Sequence, residues 1–345
     1  MENRDYDFTP EYAVNEFNRK NRTFPSVRFT SFFMLISLVS YFLVQEIMFL
    51  VLRHFDLVDT FYSNASFYYM FSAVFELIYI GIPFLAVMLY YKNDRIRLLR
   101  LNPLSVKEII IMVALGLFAF LANIFLVQIN TIVASFFSEV TIPETPTIVT
   151  TADKLIFMLA LIVVAPITEE LLMRGFIMRG LEGKSVKFAI VLAGVYFGMF
   201  HMSYDTIVPK VLAGILFCYV VYITDSLYAG IIMHMMNNGI SGIIELMFTN
   251  QTAGDEVAQE LSTAELLSLL KSDIFWAVVM IAIIMSLLSA LRNASRKTLE
   301  DGRSIGKANI REKLPCEEHI KWTSYIPVGI ALAIMTAIMI MDCIS

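Results

Sequence analysis

Charged residues are scarce in this sequence, and the scarcity excludes most classes of soluble protein. Asp, Glu, Lys and Arg together make up 17% of the 345 residues, whereas apolar residues make up 58%. Soluble domains usually carry about 25% charged and about 45–50% apolar residues. Too few polar side chains remain to cover a water-soluble domain, and a disordered chain is excluded for the same reason. The net charge of −5 does not suggest nucleic-acid binding.

Cysteine and histidine are also rare. The three cysteines, Cys218, Cys316 and Cys343, lie far apart and form no CxxC pair, so the sequence predicts no disulfide framework and no zinc finger. The HExxH motif of the common zinc proteases is absent too. Of the four histidines, His201 and His234 lie inside apolar runs. Their unusual position makes them candidate functional residues.

Long apolar runs dominate the rest of the chain. A helix needs about 20 apolar residues to cross a hydrocarbon core of about 30 Å. Nine stretches are candidates: 31–52, 67–91, 109–137, 154–182, 186–203, 207–224, 227–248, 274–291 and 325–343. The sequence therefore predicts an all-α fold, a polytopic transmembrane helix bundle of eight or nine spans.

The connections between these runs alternate in charge. Basic residues crowd before the first span, between the second and third, and before the last, while the other long connections are acidic. By the positive-inside rule, this pattern favours nine spans with a cytoplasmic N-terminus. A multi-pass protein of a bacterial plasma membrane is expected, although the charge pattern fits an endoplasmic reticulum membrane equally well. No cleavable signal peptide is recognisable, so the first span is expected to remain as an anchor.

The runs divide the chain into four regions. Residues 1–30 form a predicted cytoplasmic tail, 31–137 hold accessory helices, and 154–248 hold the polar motifs considered next. The region 249–345 is predicted to contain an acidic outer loop with a short surface helix over 262–271. A span, a basic inner connection and the last span are expected to follow.

Ionisable groups lie at membrane depth in three of the spans. Such groups are costly in a bilayer and mark functional sites. The helical rise of 1.5 Å per residue places Glu170, His201 and His234 about 18, 22 and 11 Å from the predicted inner ends of their spans. Similar depths on three separate helices predict one shared polar site.

The spacing within each helix supports that prediction. Glu170 and Arg174 are four residues apart, so they share a face and can pair, whereas Glu169 points about 100° away. The pairs Phe197–His201 and His234–Asn238 have the same spacing, which places an aromatic wall beside one imidazole and an amide beside the other. Pro166 removes a backbone donor just before the carboxylates, so a carbonyl near it is expected to be free.

Each of these residues also has a purely structural interpretation. A pair of glutamates near a helix end is often solvated, and an intramembrane histidine or asparagine often bonds a neighbouring helix. We interpret Glu46, Glu76 and Glu245 as bundle contacts or interfacial groups. The coincidence of polar residues at one depth favours a functional site.

The motifs together resemble a known family. Glu169-Glu170-x-x-x-Arg174, Phe197-x-x-x-His201 and His234-x-x-x-Asn238 follow one another in this order on separate predicted spans. This order resembles the signature of the CPBP family, which comprises CAAX proteases and bacteriocin-processing enzymes and is also named Abi. The resemblance covers roughly residues 154–248. It implies a helical intramembrane endopeptidase with its site in a cavity between the motif-bearing spans.

The resemblance also implies a role for each motif residue. Glu169 would be the general base for the attacking water, with His201 helping to hold that water. His234 and Asn238 would stabilise the oxyanion, for which an imidazole and an amide on one face supply two donors. The remaining motif residues, Glu170, Arg174 and Phe197, would shape and orient the site.

The cofactor and the alternatives stay open at this stage. The family implies either zinc or a metal-free glutamate mechanism, and Glu169, His201 and His234 could bind one Zn²⁺ with a fourth position left for water. The expected substrate is a peptide or a membrane-associated protein within the bilayer, prenylated in the CAAX-processing members. A non-catalytic scaffold or bacteriocin-immunity protein is the second hypothesis, and a proton-coupled transporter is the third.

Overall fold

The computed structural model describes residues 25–91, 98–136, 145–248, 263–300 and 320–344. Within these ranges the regular structure is helical and no strand occurs, as the all-α prediction requires. Ten helices are named here: α1 Val27–His54, α2 Val58–Ser63, α3 Ala65–Tyr90, α4 Val106–Ser135, α5 Thr151–Leu181, α6 Val186–Phe200, α7 Ile207–Thr224, α8 Leu227–Phe248, α9 Thr263–Glu300 and α10 Ile326–Ile344.

Each of the nine predicted apolar stretches contains a helix in the described part of the chain, but α6 ends at Phe200, so residues 201–203 of the stretch 186–203 are not helical. Seven helices are long and apolar enough to cross a membrane, namely α1, α3, α4, α5, α7, α9 and the C-terminal stretch Trp322–Cys343. Helix α6 is apolar but has only 15 residues, and α8 has 22 residues that include the polar motif. The protein is therefore a polytopic helical bundle. The number of crossings, the cytoplasmic N-terminus and the four-region division remain predictions.

The prediction of a separate surface helix over 262–271 is wrong for the residues that the structure describes. Residues from Thr263 onward belong to α9, a single helix of 38 residues. The apolar pattern of the sequence predicted only the part of this helix that is long enough to cross a bilayer. It did not predict the polar residues by which the helix extends at both ends. Parts of three predicted connections lie outside the described residues, namely 1–24 of the tail 1–30, 249–262 of the acidic loop 249–273 and 301–319 of the basic connection 292–324.

Capping boxes begin two of the spans. At the start of α4, Ser105 N donates to Glu108 Oε2 over 2.8 Å, and Glu108 N donates to Ser105 Oγ over 3.4 Å. The other oxygen of Glu108 accepts from Ser295 Oγ of α9 over 2.6 Å. The pairing of Thr150 with Asp153 starts α5 in the same way. Capping satisfies backbone donors that would otherwise be unpaired at a helix start.

Three π-helical segments interrupt the long helices next to the polar motif. One lies in α3 over Leu77–Gly81, and two lie in α5 over Ala160–Val164 and Leu171–Ile177. The α5 segments flank the short α-helical stretch Ala165–Glu170, which carries both adjacent carboxylates. Segments of π-helix are rare and occur frequently at functional sites.

Glycines bring α6 and α7 into close backbone contact. A Cβ at Gly194 would lie 2.6 Å from Ile215 N, and a Cβ at Gly198 would lie 2.6 Å from Val211 N. Gly214 faces the same crossing, since a Cβ there would lie 2.7 Å from the Gly194 carbonyl oxygen. Small residues at such crossings let two helices pack tightly within a membrane. The crossing fixes the position of the α6 motif residues relative to α7.

Gly198→Ala is expected to destabilise the protein by about 1–3 kcal/mol, because the new methyl group overlaps the backbone of α7. The free energy of unfolding in detergent micelles measures this effect. Gly329→Ala is the matched control, because nothing lies within 4 Å of a Cβ at Gly329. Equal stability of the two variants would contradict the inference of a tight crossing.

A buried ion-pair cluster joins three connections at one end of the bundle. Arg100 contacts Glu182 through Nη1 over 2.7 Å and Asp225 through Nε over 2.9 Å. Asn102 Nδ2 donates to the Asp225 carbonyl oxygen over 2.7 Å. Asp225 adopts a left-handed backbone with φ of 49° at the turn between α7 and α8, a conformation that Asp tolerates better than most residues. The cluster fixes the end of α5 relative to the start of α8.

Candidate active site

The centre of the site is a buried ion pair on α5 that also contacts α8. Arg174 Nη1 lies 2.6 Å from Glu170 Oε1, and both side chains are 0% exposed. His234 Nδ1 lies 3.0 Å from the same carboxylate oxygen. Arg174 Nη2 also donates to the Gly214 carbonyl oxygen over 3.0 Å. The predicted pairing of Glu170 with Arg174 is thus confirmed, and it extends to His234.

The helix α8 approaches this ion pair closely because residue 230 has no side chain. A Cβ at Gly230 would lie 2.5 Å from Glu170 Oε2. Glycine therefore lets the backbone of α8 pack against the carboxylate, which brings His234, one turn further along, within hydrogen-bonding distance of Glu170.

Aromatic rings enclose the guanidinium group. The Arg174 Cζ atom lies 4.6 Å from the ring centroid of Phe197 and 5.4 Å from that of Phe217. Phe197 also meets the imidazoles edge-on, with centroids 5.2 Å from His201 and 5.9 Å from His234. A cation over an aromatic face is attracted by the ring quadrupole. The predicted aromatic wall at Phe197 is confirmed, and it contacts both histidines.

Glu169 points away from this ion pair and into a small cavity. The cavity has a volume of about 200 Å³ and is lined by Tyr41, Tyr79, Ile80, Glu169, Met173, Phe197, Phe200 and His201. Glu169 Oε2 is buried and has no hydrogen-bond partner among the described residues. It lies 4.0 Å from His234 Nε2. His201, the residue that caps α6, is exposed at the rim of this cavity.

The two adjacent glutamates therefore have different surroundings. Glu170 is held by Arg174 and His234 and does not line the cavity, whereas Glu169 does. A carboxylate oxygen without a partner beside a cavity is able to hold a water molecule, because a buried acceptor gains from any donor that can reach it. Glu169 is the residue of the pair that is placed to act on a water.

Asn238 bonds the broken part of α5. Its Nδ2 donates to the Leu161 carbonyl oxygen over 3.0 Å, and its Oδ1 accepts from Asn237 Nδ2 over 3.2 Å. Leu161 precedes Pro166 by five residues, the spacing of a π-helical hydrogen bond, and Pro166 has no N–H to donate. The free carbonyl expected near Pro166 thus finds its donor on α8. The oxyanion role of Asn238 stays a prediction.

The predicted zinc ligands do not form a metal site in the described part of the chain. No group of three or more His, Cys, Asp or Glu side chains there is arranged to hold a metal ion. His234 Nδ1 is occupied by Glu170, which leaves only Nε2 toward Glu169. The arrangement of these side chains does not fit a three-ligand zinc site.

Sequence reasoning missed a third carboxylate at the site. Glu76 of α3 accepts a hydrogen bond from Thr168, the neighbour of Glu169, and lies close enough to Glu169 for electrostatic interaction. The interpretation of Glu76 as a contact between helices agrees with its bond to Thr168, but it did not include the interaction of Glu76 with Glu169. Lys210 of α7 also interacts electrostatically with Glu169. An estimate of the depth of Glu76 within its span, like the estimate made for His201, was the sequence signal that could have placed Glu76 at the site.

Glu46 and Glu245 do not line the cavity. Their side chains are exposed, and their interpretation as bundle contacts or interfacial groups stays a prediction. The structure thus brings the motif residues of α5, α6 and α8 together and adds groups from α3 and α7.

The comparison with protein families matches the same part of the chain. Residues 151–240 match the family model described as type II CAAX prenyl endopeptidase Rce1-like. The comparisons with curated proteins and with solved structures found no match. The matched residues run from the start of α5 to the middle of α8 and so include all three motifs around the cavity. Over this segment the chain is therefore similar to the CAAX protease family, both in the family match and in its three motifs.

Proposed function

We propose that the protein is an intramembrane endopeptidase in which Glu169 activates a water molecule held in the cavity. The observation that carries the proposal is the free Oε2 of Glu169, which is buried beside this cavity and 4.0 Å from His234 Nε2. A general base must lie within hydrogen-bonding reach of the proton it takes, directly or through one water. A water bound to Glu169 meets that condition.

The proposed reaction uses the other residues as follows. Glu169 takes a proton as the water attacks the scissile carbonyl carbon, and a tetrahedral oxyanion forms. Glu169 then returns the proton to the leaving amine as the C–N bond breaks. Because Glu170 holds His234 Nδ1, Nε2 is the ring nitrogen that faces the reacting group. A proton on Nε2 lets this nitrogen donate to the oxyanion.

Glu170 and Arg174 act as positioning residues in this proposal. The carboxylate orients the imidazole of His234, as the buried aspartate does in serine proteases. Arg174 compensates the buried charge of Glu170 and is itself fixed by Gly214 and by the two phenylalanines. His201, at the rim of the cavity, is placed to help hold the attacking water.

The substrate is proposed to be a membrane-associated peptide with a prenylated C-terminus, because the matched family is that of CAAX prenyl endopeptidases. Aromatic and apolar residues make up most of the cavity lining, which suits an apolar substrate segment. The bacterial plasma membrane and a cytoplasmic N-terminus belong to the proposal as well.

A cleavage assay tests the proposal directly. The purified protein in detergent is expected to hydrolyse a farnesylated peptide ending in a CAAX sequence, and to act more slowly on the unprenylated peptide of the same sequence. Mass spectrometry of the products gives the cleavage position. If only the unprenylated peptide is cleaved, the proposed substrate class is wrong. If neither peptide and no member of a peptide library is cleaved, the proposed protease activity is wrong.

The same assay examines the metal. Because no three-ligand site is formed among the described residues, we expect activity to persist after treatment with a chelator and dialysis. Elemental analysis of the active protein supplies the second measurement. Loss of activity with the chelator and its return with Zn²⁺ alone would restore the zinc alternative.

A further inference from the structure

A second and larger cavity lies on the other side of the polar cluster. It is a groove of about 590 Å³ between α4, α7 and α9, lined mostly by apolar residues. This volume lies within the usual range of about 300–1,000 Å³ for ligand-binding pockets. The groove runs along α7 from Pro209 to Tyr219 and along α9 from Ile281 to Arg292. At 1.5 Å per residue, these stretches are about 15 Å long.

All three helices that form this groove are candidate membrane spans. The groove is therefore at the depth of the lipid chains, where its apolar wall suits an alkyl chain. Its polar residues are few, namely Asn123, Asn237, Ser289 and Arg292. Arg292 stands at one end of the groove and its side chain is exposed. This is the end at which α4 begins, because Ser295, one turn further along α9, bonds Glu108 in the first turn of α4.

We propose that this groove binds one anionic phospholipid of the surrounding bilayer, with an acyl chain along the apolar wall and the headgroup phosphate at Arg292. We choose an anionic lipid as the occupant because Arg292 is positively charged and lies at one end of the groove. A guanidinium forms two parallel hydrogen bonds to a phosphate, and basic pockets between transmembrane helices bind anionic headgroups. A groove of apolar residues with one cation at its membrane-surface end complements this type of lipid.

The substrate is a less suitable occupant, because a wall separates the groove from the cavity of Glu169. Phe217 lines the groove and packs on the other side against His234, with ring centroids 5.5 Å apart, and against Arg174. Phe217 is only 3% exposed. Asn237 lines the groove too and donates to Asn238. A lipid in the groove therefore supports the residues that hold the polar cluster without reaching Glu169.

The proposal is tested by lipid binding to the full-length protein in detergent. Phosphatidylglycerol is the anionic probe, and phosphatidylcholine is the zwitterionic comparison. We expect saturable binding of one phosphatidylglycerol per chain in native mass spectrometry and a rise in melting temperature that follows the occupancy. Phosphatidylcholine is expected to bind at least about ten-fold more weakly, because the choline cation beside its phosphate offsets the attraction between that phosphate and Arg292.

Variants locate the site. Arg292→Gln is expected to weaken phosphatidylglycerol binding about ten-fold or more. Lys187→Gln makes the same change of charge at an exposed position at the start of α6 and is expected to leave binding unchanged. Ala213→Phe places a ring in the groove and is expected to abolish binding. Ala119→Phe, on the opposite wall, serves the same purpose if the first variant does not fold.

Three results would overturn the proposal. The first is equal affinity for the two lipids, and the second is an equal loss of binding in Arg292→Gln and Lys187→Gln. The third is displacement of the lipid by a farnesylated peptide, which would identify the groove as a substrate site. None of these measurements depends on protease activity, so the lipid site and the proposed function can fail separately.

Discussion

Glu169→Gln is expected to lower the rate of peptide hydrolysis by about 10²–10⁴-fold, the usual contribution of a general base. The amide nearly matches the carboxylate in size but cannot take the proton of the attacking water. Glu169 Oε2 has no hydrogen-bond partner among the described residues, so the substitution breaks no bond to that atom. Measurement of kcat/KM on a peptide that the wild type cleaves gives the effect, and the melting temperature shows that the variant is folded.

The matched control is Glu46→Gln, which makes the same chemical change at an exposed glutamate of α1. Its rate is expected to equal that of the wild type. Undiminished hydrolysis by Glu169→Gln would rule out the proposed base. A large fall in melting temperature with no measurable hydrolysis in the wild type would instead support a non-catalytic scaffold, in which the polar cluster only holds helices together.

Arg174→Met is expected to destabilise the protein by about 3–5 kcal/mol, because it leaves the carboxylate of Glu170 buried without its cation. The guanidinium and the carboxylate are both 0% exposed, so water cannot replace the lost partner. The variant also removes the donor to the Gly214 carbonyl oxygen. Equilibrium unfolding in detergent, followed by circular dichroism, gives the free energy of unfolding.

A double variant separates the ion pair from general packing. Glu170→Gln combined with Arg174→Met removes both charges, and we expect it to be more stable than Arg174→Met alone. Such non-additivity is the property of two residues that interact directly. Strictly additive losses would show that the two side chains contribute independently. Lys187→Met, at an exposed position, controls for removal of a cation from a helix and is expected to be close to neutral.

Much of the architecture was predictable from the sequence because bilayer thickness imposes a length on each apolar run. The nine predicted stretches coincide with helices, including the run over 207–224 that begins with Pro209 and Lys210. The pairing of Glu170 with Arg174 was predictable for a similar reason. Four residues apart on one helix, two side chains meet whatever the rest of the fold does.

Contacts between distant parts of the chain could not be predicted in this way. The bond of Thr168 to Glu76 joins residues 92 positions apart, and no local spacing indicates it. The placement of Arg174 between Phe197 and Phe217 depends on the α6–α7 crossing. The bond of Asn238 to Leu161 depends on the approach of α8 to a π-helical part of α5. Each of these contacts follows from packing between helices.

The π-helical segments of α5 have a consequence for anyone who aligns related sequences to this one. A π turn accommodates one more residue than an α turn, so residues beyond it face a direction that a regular helical wheel assigns wrongly. The two segments at Ala160–Val164 and Leu171–Ile177 therefore change the direction in which the side chains of α5 point, both before and after its two glutamates. Loss of a single residue within 171–177 would rotate the helix beyond it by about 100° and separate Glu182 from Arg100 at the far end. The length of this segment is thus as much a part of the site as its side chains.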